Sequence, residues 1–500
     1  MKSSGSSISL RRTGLVVFGA RIASIFTGLV FLVMMTRSLS AQQFGLYEVI
    51  TDIVAFSAYP AGLVAFWATR DIARGKMFGK TALALNIALS ALGVVIYLAL
   101  SYFSASRIPS ASLVNLLFAV LLVPVSYLSQ AANAVVAGHR PVVLGYAVIF
   151  SEASKLIVAY PLLIVFKVGI DGVIVAVLVA NLTQAVASAA LAGDATSGPV
   201  SLEQGRRWLT HSWLPMLTTL PYMLGVADTF VASLADGNTV LVGHYQAAFS
   251  VAALAGYSLY LASAMYPLLL KGGTDEVTTM TLDLALAFGI PMAVGAAVLA
   301  RPILHLLNSS LYLDASTALG ILAMAALANT VTSFFDQVLL GKDRVDVDES
   351  AKFSDYLRSS IVFVAKVNLG LVVVYLASVY LSVAAGLAYN LSTASTIELW
   401  ALAQLGIFVT GILIKARRIR KVGRLIVPPS VGYYVVGAGL MAVVIYLLEP
   451  AIIYRGGTFF LALELVLVGG AGLVVYGAFV LAFDKTLRGF LQRAIKEAFA

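Results

Sequence analysis

Long apolar runs alternate with short polar stretches from one end of the chain to the other. The runs fall at roughly 14–36, 44–69, 81–103, 113–137, 142–166, 170–192, 212–234 and 240–270, then 279–300, 314–340, 357–381, 396–414, 429–448 and 458–483. About 20 mostly apolar residues cross a hydrocarbon core of roughly 30 Å as a helix, so each run is of spanning length. None shows the dyad alternation of a membrane barrel strand, and backbone facing lipid must satisfy its own hydrogen bonds. The pattern therefore predicts an all-α membrane protein with about 14 transmembrane helices. The first run (Leu15 to Met35) follows a basic start but has no small-residue cleavage site after it, which makes it a membrane helix rather than a signal peptide. The connections are short, the longest polar ones being 193–211 and 341–358.

Charge fixes the orientation. Only 11% of the 500 residues are charged and 60% are apolar, whereas soluble domains carry about 25% charge. If the N-terminus is inside and the spans alternate, the inner segments collect Lys2, Arg11 and Arg12, Arg70 to Lys80, Arg140, Arg206 and Arg207, Lys271, Lys342 to Arg358, the run Lys415 to Arg424, and Lys485 to Lys496. The outer segments hold only Arg37, Arg107, Lys167, Arg301 and Arg455. That bias places both termini in the cytoplasm, as a multi-pass protein of the cell membrane. It also accounts for the net charge of +9 without a nucleic-acid partner. Cysteine is absent, which excludes disulfides and thiolate chemistry.

An internal repeat divides the chain. The loop into the second run reads SLSAQQFGLYE and the loop into the eighth reads SLADGNTVLVGHYQ. Gly45, Tyr47 and Glu48 recur 198 positions later as Gly243, Tyr245 and Gln246. Six spans per half is an even number, so the halves enter from the same side and form two parallel six-helix bundles about a pseudo-two-fold axis, with two helices added at the C-terminus. The expected organisation is an N-terminal bundle at 1–192, a cytoplasmic linker at 193–211, a second bundle at 212–415, two additional helices at 416–483 and an amphipathic tail at 484–500. In that tail Leu487, Leu491, Ile495 and Ala498 share one helical face, as in a helix lying on the inner leaflet.

On these residues the chain resembles the multidrug/oligosaccharidyl-lipid/polysaccharide exporter superfamily. It looks most like the polysaccharide-biosynthesis (O-antigen-type) lipid-linked oligosaccharide flippases. The likeness is carried by the opening GLVVFGARIASIFTGLVFLVMMTRSLSAQQFGLYE, by Asp228 in LGVADTFVASLA and by VGHYQAAFS. The resemblance implies a V-shaped pair of bundles that moves a polyprenyl-phosphate-linked saccharide across the membrane by alternating access. It implies membrane lipid and that glycan as partners, H+ or Na+ as a coupling ion, no cofactor, and a monomer. A multidrug or cation antiporter of the same superfamily is the alternative within the fold.

Ionisable residues inside spans are functional candidates by default, because the bilayer makes them costly. Arg21, Lys155 and Lys366 are candidates for binding a lipid phosphate, and arginine suits its bidentate geometry. The two lysines sit in similar settings, EASKLIVAY and FVAKVNLGL, on spans that the repeat pairs. Asp52, Glu152 and Asp228 are candidate coupling or cavity carboxylates. A second reading stands beside the first: Glu152 and Lys155, at i,i+3, neutralise each other, and Arg21 pairs with Asp52. Glu48, Asp336 and Glu464 lie close enough to an interface to reach water. Seven prolines within spans (Pro60, Pro124, Pro161, Pro215, Pro221, Pro267 and Pro291) are either hinges or simply tolerated. Amides and hydroxyls at depth, among them Gln130, Asn133, Asn181, Gln184, Thr218 and Thr219, either bond sugars or join helices.

Enzyme classes fit poorly. Asp346 and Asp348 in RVDVDES resemble a glycosyltransferase acidic pair, but a loop of that size holds no nucleotide-binding domain. No glycine-rich phosphate loop with a lysine is present, and His139, His211, His244 and His305 have no metal-ligand spacing. A membrane-bound glycan polymerase or ligase, the alternative of another class, would be expected to carry a large outer loop. The sequons at Asn308 and Asn390 lie in short outer loops.

Overall fold

The computed structural model describes residues 10–262, 275–343, 358–422, 428–452, 457–484 and 487–489. The Asp346 and Asp348 loop, Pro267 and most of the C-terminal tail lie outside these residues, as does the side chain of Arg21. The described residues form 18 helices and short 3-10 and π turns, with no strand among them. In chain order the helices are α1 (Leu10–Ser38), α2 (Ala41–Ala73), α3 (Gly79–Arg107), α4 (Leu113–Phe118), α5 (Leu122–His139), α6 (Val142–Ala159), α7 (Ile170–Leu191), α8 (Leu202–Thr210), α9 (Trp213–Gly225), α10 (Asp228–Asp236) and α11 (Val240–Ala252). Then follow α12 (Asp275–Val298), α13 (Ala300–Asn308), α14 (Ser316–Lys342), α15 (Ser360–Ala388), α16 (Thr393–Val422), α17 (Val431–Leu448) and α18 (Gly457–Phe483). Eleven of the helical segments are long and apolar enough to cross a membrane, and α1 adds a shorter apolar stretch at Ala23–Ser38. The protein is a multi-pass membrane protein.

Helix starts are set by side-chain caps. Ser40 and Gln43 close a reciprocal capping box at the head of α2, each side chain bonding the other's backbone N–H at 3.2 Å. Ser112, Ser201 and Ser359 cap α4, α8 and α15 one-sidedly, each hydroxyl accepting one backbone N–H.

Two expected spans are not continuous helices. The seventh breaks at Val226 and Ala227, so α9 ends at Gly225 and α10 starts afresh at Asp228. The eighth passes from α11 into ten residues of 3-10 helix (Ala253–Ala262), longer than the three or four residues usual for that geometry. The fifth span ends in a π turn at Tyr160–Val165, where Pro161 begins the wider register and its carbonyl accepts from Phe166 N–H at 2.8 Å. Interruptions of this kind inside a bilayer occur where the loosened backbone is covered by protein or lines a wet cavity.

The chain divides into two compact units, Met1–Gly243 and His244–Ala500. In the first, α2, α3, α5 and α7 pack around Val49, Ile53, Tyr97, Leu116 and Tyr127, and α9 and α10 lie against α2. The linker helix α8 is pinned to the end of α2, because Asp71 accepts from Trp208 Nε1 (2.9 Å), Gln204 Nε2 (2.6 Å) and Lys76 Nζ (2.8 Å).

In the second unit α14 packs on α16, and α17 and α18 pack on each other and on α12. One buried polar knot fastens that last pair. The Tyr434 hydroxyl lies 2.9 Å from Asp283 on α12 and 2.8 Å from Asp484 beyond α18, and Ser430 donates to Asp283.

Candidate functional site

The polar residues of α2 form one stripe. Tyr47, Thr51 and Tyr59 recur at intervals of four and eight residues, and Glu48 and Asp52 follow the first two by one position. Such spacing puts each set on one helical face. Tyr47, Thr51 and Tyr59 line a cavity of about 500 Å3 within the first unit, closed by α5, α7 and α9 through Ser126, Gln130, Asn181 and Thr219. Phe66 forms part of its wall and carries the Arg70 guanidinium 4.0 Å from its ring centre. The Tyr59 hydroxyl reaches Thr219 Oγ1 at 3.0 Å and Met216 O at 3.3 Å, tying α2 to the broken span.

The second set of α2 positions is acidic. Asp52 is 5% exposed. Its carboxylate accepts from the Thr229 hydroxyl and, at 3.3 Å, from Phe230 N–H. The break at Val226 and Ala227 makes this possible, because the fresh N-terminus of α10 presents N–H groups that the helix itself does not use and the positive end of its dipole. Asp228 occupies the first turn of α10 and accepts from Thr229 N–H at 2.9 Å. Glu48, Asp52 and Asp228 lie within electrostatic reach of one another.

The remaining candidates are placed as follows. Lys155 and Glu152 form an ion pair at 2.8 Å on α6, the i,i+3 arrangement. Glu152 also accepts from Thr27 (2.5 Å) and Ser24 (3.3 Å) of α1, and Lys155 lies over the Phe31 ring at 5.2 Å. Arg21 belongs to α1, one turn before Ser24. Lys366 is an exposed residue of α15, in the second unit.

Sequence reasoning missed two features. Lys415 was expected in an inner loop, but α16 continues to Val422 and buries it completely, with Nζ 2.7 Å from Asp336 on α14. Asn368 of α15 donates to the same carboxylate oxygen at 3.1 Å. Second, the paired motif tyrosines do different work. Tyr47 faces the cavity, whereas Tyr245 stacks on Trp400 at 3.6 Å and donates to Gln404 at 3.1 Å in the core of the second unit. Asn308, half of one sequon, is fully buried, and Asn390 is exposed. No group of acidic, histidine or cysteine side chains suited to a metal ion occurs among the described residues.

Comparison with known proteins places the fold. No family model matches the sequence, and no curated protein sequence matches it. Solved structures do. The chain is similar to a structure described as lipid II flippase MurJ in an inward closed conformation, with a TM-score of 0.64 and 16% identity, covering 95% of this chain and 99% of that one. It is also similar to an inward-facing multidrug resistance MATE family transporter of the MOP superfamily, with a TM-score of 0.57 and 15% identity over 80% of this chain and 95% of that one. The chain has the MOP-type fold, shared by flippases and multidrug transporters.

Proposed function

We propose that this protein is a flippase or exporter of a polyprenyl-phosphate-linked saccharide, of the polysaccharide-biosynthesis type, which carries its cargo from the cytoplasmic to the outer leaflet by alternating access. The observation that supports it most is the extent of the likeness to the lipid II flippase. A match over 95% of the chain is too wide to omit both α17 and α18, which hold 18 and 27 residues respectively. The MATE match, at 80%, has no such reach.

In this reading the substrate divides by chemistry. A phosphate stripped of water needs cations, and a sugar hydroxyl needs a neutral hydrogen-bonding partner. Arg21, Lys155 and Lys366 supply the cations. The phosphate displaces Glu152 from Lys155 as it arrives. Asp52 and Asp228, with Glu48, take up the coupling H+, because close carboxylates lower their mutual repulsion by sharing a proton. The protein acts as a monomer in the cell membrane with both termini cytoplasmic.

The same three carboxylates favour one second reading, an antiporter of organic cations. Charge-removing changes separate the two. Arg21→Gln, Lys155→Gln and Lys366→Gln should each abolish export of the lipid-linked saccharide in cells while membrane levels stay normal. Arg21→Lys should recover part of it. Normal export in all three neutral variants would sink the phosphate-binding assignment.

A further inference from the structure

The cavity of the first unit has a composition that the phosphate-binding reading does not use. Its wall contains the hydroxyls of Tyr47, Tyr59, Ser126 and Thr219 and the amides of Gln130 and Asn181, with no ionised side chain among the residues that line it. Several of these groups have hydrogen-bonding capacity left over. The side chains of Asn181 and Ser126 make no hydrogen bond among the described residues, and Gln130 spends one amide hydrogen on a long 3.4 Å contact to Ala58 O. Open amides and hydroxyls at membrane depth are costly unless water or a ligand meets them. The volume of about 500 Å3 lies within the range of roughly 300–1,000 Å3 typical of ligand sites. Most of the remaining wall is aliphatic or aromatic.

Charge decides what can enter. No cationic side chain belongs to the wall, so a phosphate there would lose its water with nothing charged to replace it. Lys155, the candidate cation of the first unit whose side chain is described, is already held by Glu152 and does not line the cavity, and the Arg70 guanidinium rests on the Phe66 ring without lining it. An organic cation fares little better, because no carboxylate belongs to the wall and Asp52 is engaged by Thr229 and Phe230. An uncharged, hydroxyl-rich ring fits: its hydroxyls bond the amides and its C–H faces lie on Tyr47 and Tyr59.

We infer that this cavity is a saccharide subsite, in which Gln130 and Asn181 bond the uncharged sugar of the substrate while its phosphate stays outside. The inference rests on the proposed transport of a lipid-linked saccharide, but its test does not depend on transport. The probe is a photoreactive octyl glucoside, kept below its micelle concentration, with the full-length protein in lipid nanodiscs. Crosslinks should map to α2, α5, α7 and α9 and be competed by octyl glucoside, but not by octyl phosphate or octyl trimethylammonium at equal concentration. Asn181→Leu and Gln130→Leu should each weaken labelling about tenfold, the loss expected for one buried hydrogen bond. Asn181→Ser, which keeps a hydroxyl, should weaken it less, with melting temperatures reported for all three.

Equal competition by octyl phosphate, better competition by the ammonium, or labelling elsewhere would overturn the subsite. If the glucoside binds as described and no lipid-linked saccharide is transported, the subsite stands and the flippase reading falls. If transport occurs and is indifferent to Asn181→Leu, the reverse holds.

Discussion

Gly45→Ala should sharply destabilise the protein, although the same change on an open helix face is mildly favourable. A Cβ at Gly45 would lie 1.8 Å from the Thr239 carbonyl oxygen, and one at Gly243 would lie 2.1 Å from the Ala41 carbonyl oxygen. The contact is reciprocal, since Ala41 and Thr239 are related by the same 198-residue offset as the two glycines. Both obstacles are backbone, so no side chain can rotate away and the start of α2 must separate from the start of α11. Overpacking typically costs about 1–3 kcal/mol, and a backbone clash of this depth belongs at or above the upper end. Alanine would otherwise gain about 1 kcal/mol over glycine in a helix. Gly439→Ala on α17, where a Cβ meets nothing within 4 Å, serves as the control. Thermal melting of the purified variants should show large losses for Gly45→Ala and Gly243→Ala and none for Gly439→Ala. Wild-type melting in the first two would contradict the close approach of the repeated motifs.

Lys415→Met should cost about as much by a different route. Lys415 is fully buried against Asp336, and the second oxygen of that carboxylate already lacks a hydrogen-bond partner. Removing one member of a buried pair leaves the other charge uncompensated, at about 3–5 kcal/mol. Replacing both members by apolar residues is often close to neutral. The double variant Lys415→Met with Asp336→Leu should therefore recover most of the stability lost by the single one. A double variant that melts below the single would mean that Asp336 matters through Asn368 rather than through the lysine.

These two sites also mark what the sequence could tell. Spanning helices are legible because hydrocarbon thickness imposes a length and composition that any window detects. The glycine repeat is legible as a pattern, but its reason, mutual backbone contact, is tertiary. Lys415 reads as a residue beyond the span because the apolar run stops at residue 414, while the helix carries on to Val422 among other helices. The break before Asp228 is hidden for a similar reason: Val226 and Ala227 are apolar, and hydropathy averages across them. Asp52 could be recognised as an intramembrane carboxylate, but Thr229, 177 positions away, could not be named as its partner. The Glu152 and Lys155 pair was readable because its spacing is local.

Transport of a lipid-linked saccharide can be read directly by reconstitution. Purified protein is placed in liposomes containing a polyprenyl-phosphate-linked saccharide with a fluorophore on the sugar, and an impermeant reductant is added outside. With the protein present, reductant should reach the fluorophores of both leaflets. Protein-free vesicles should keep their inner population, and so should vesicles carrying the Lys155→Gln variant. Protection of the inner saccharide by wild-type vesicles, together with uptake of an organic cation by the same vesicles, would contradict the claim and favour the antiporter.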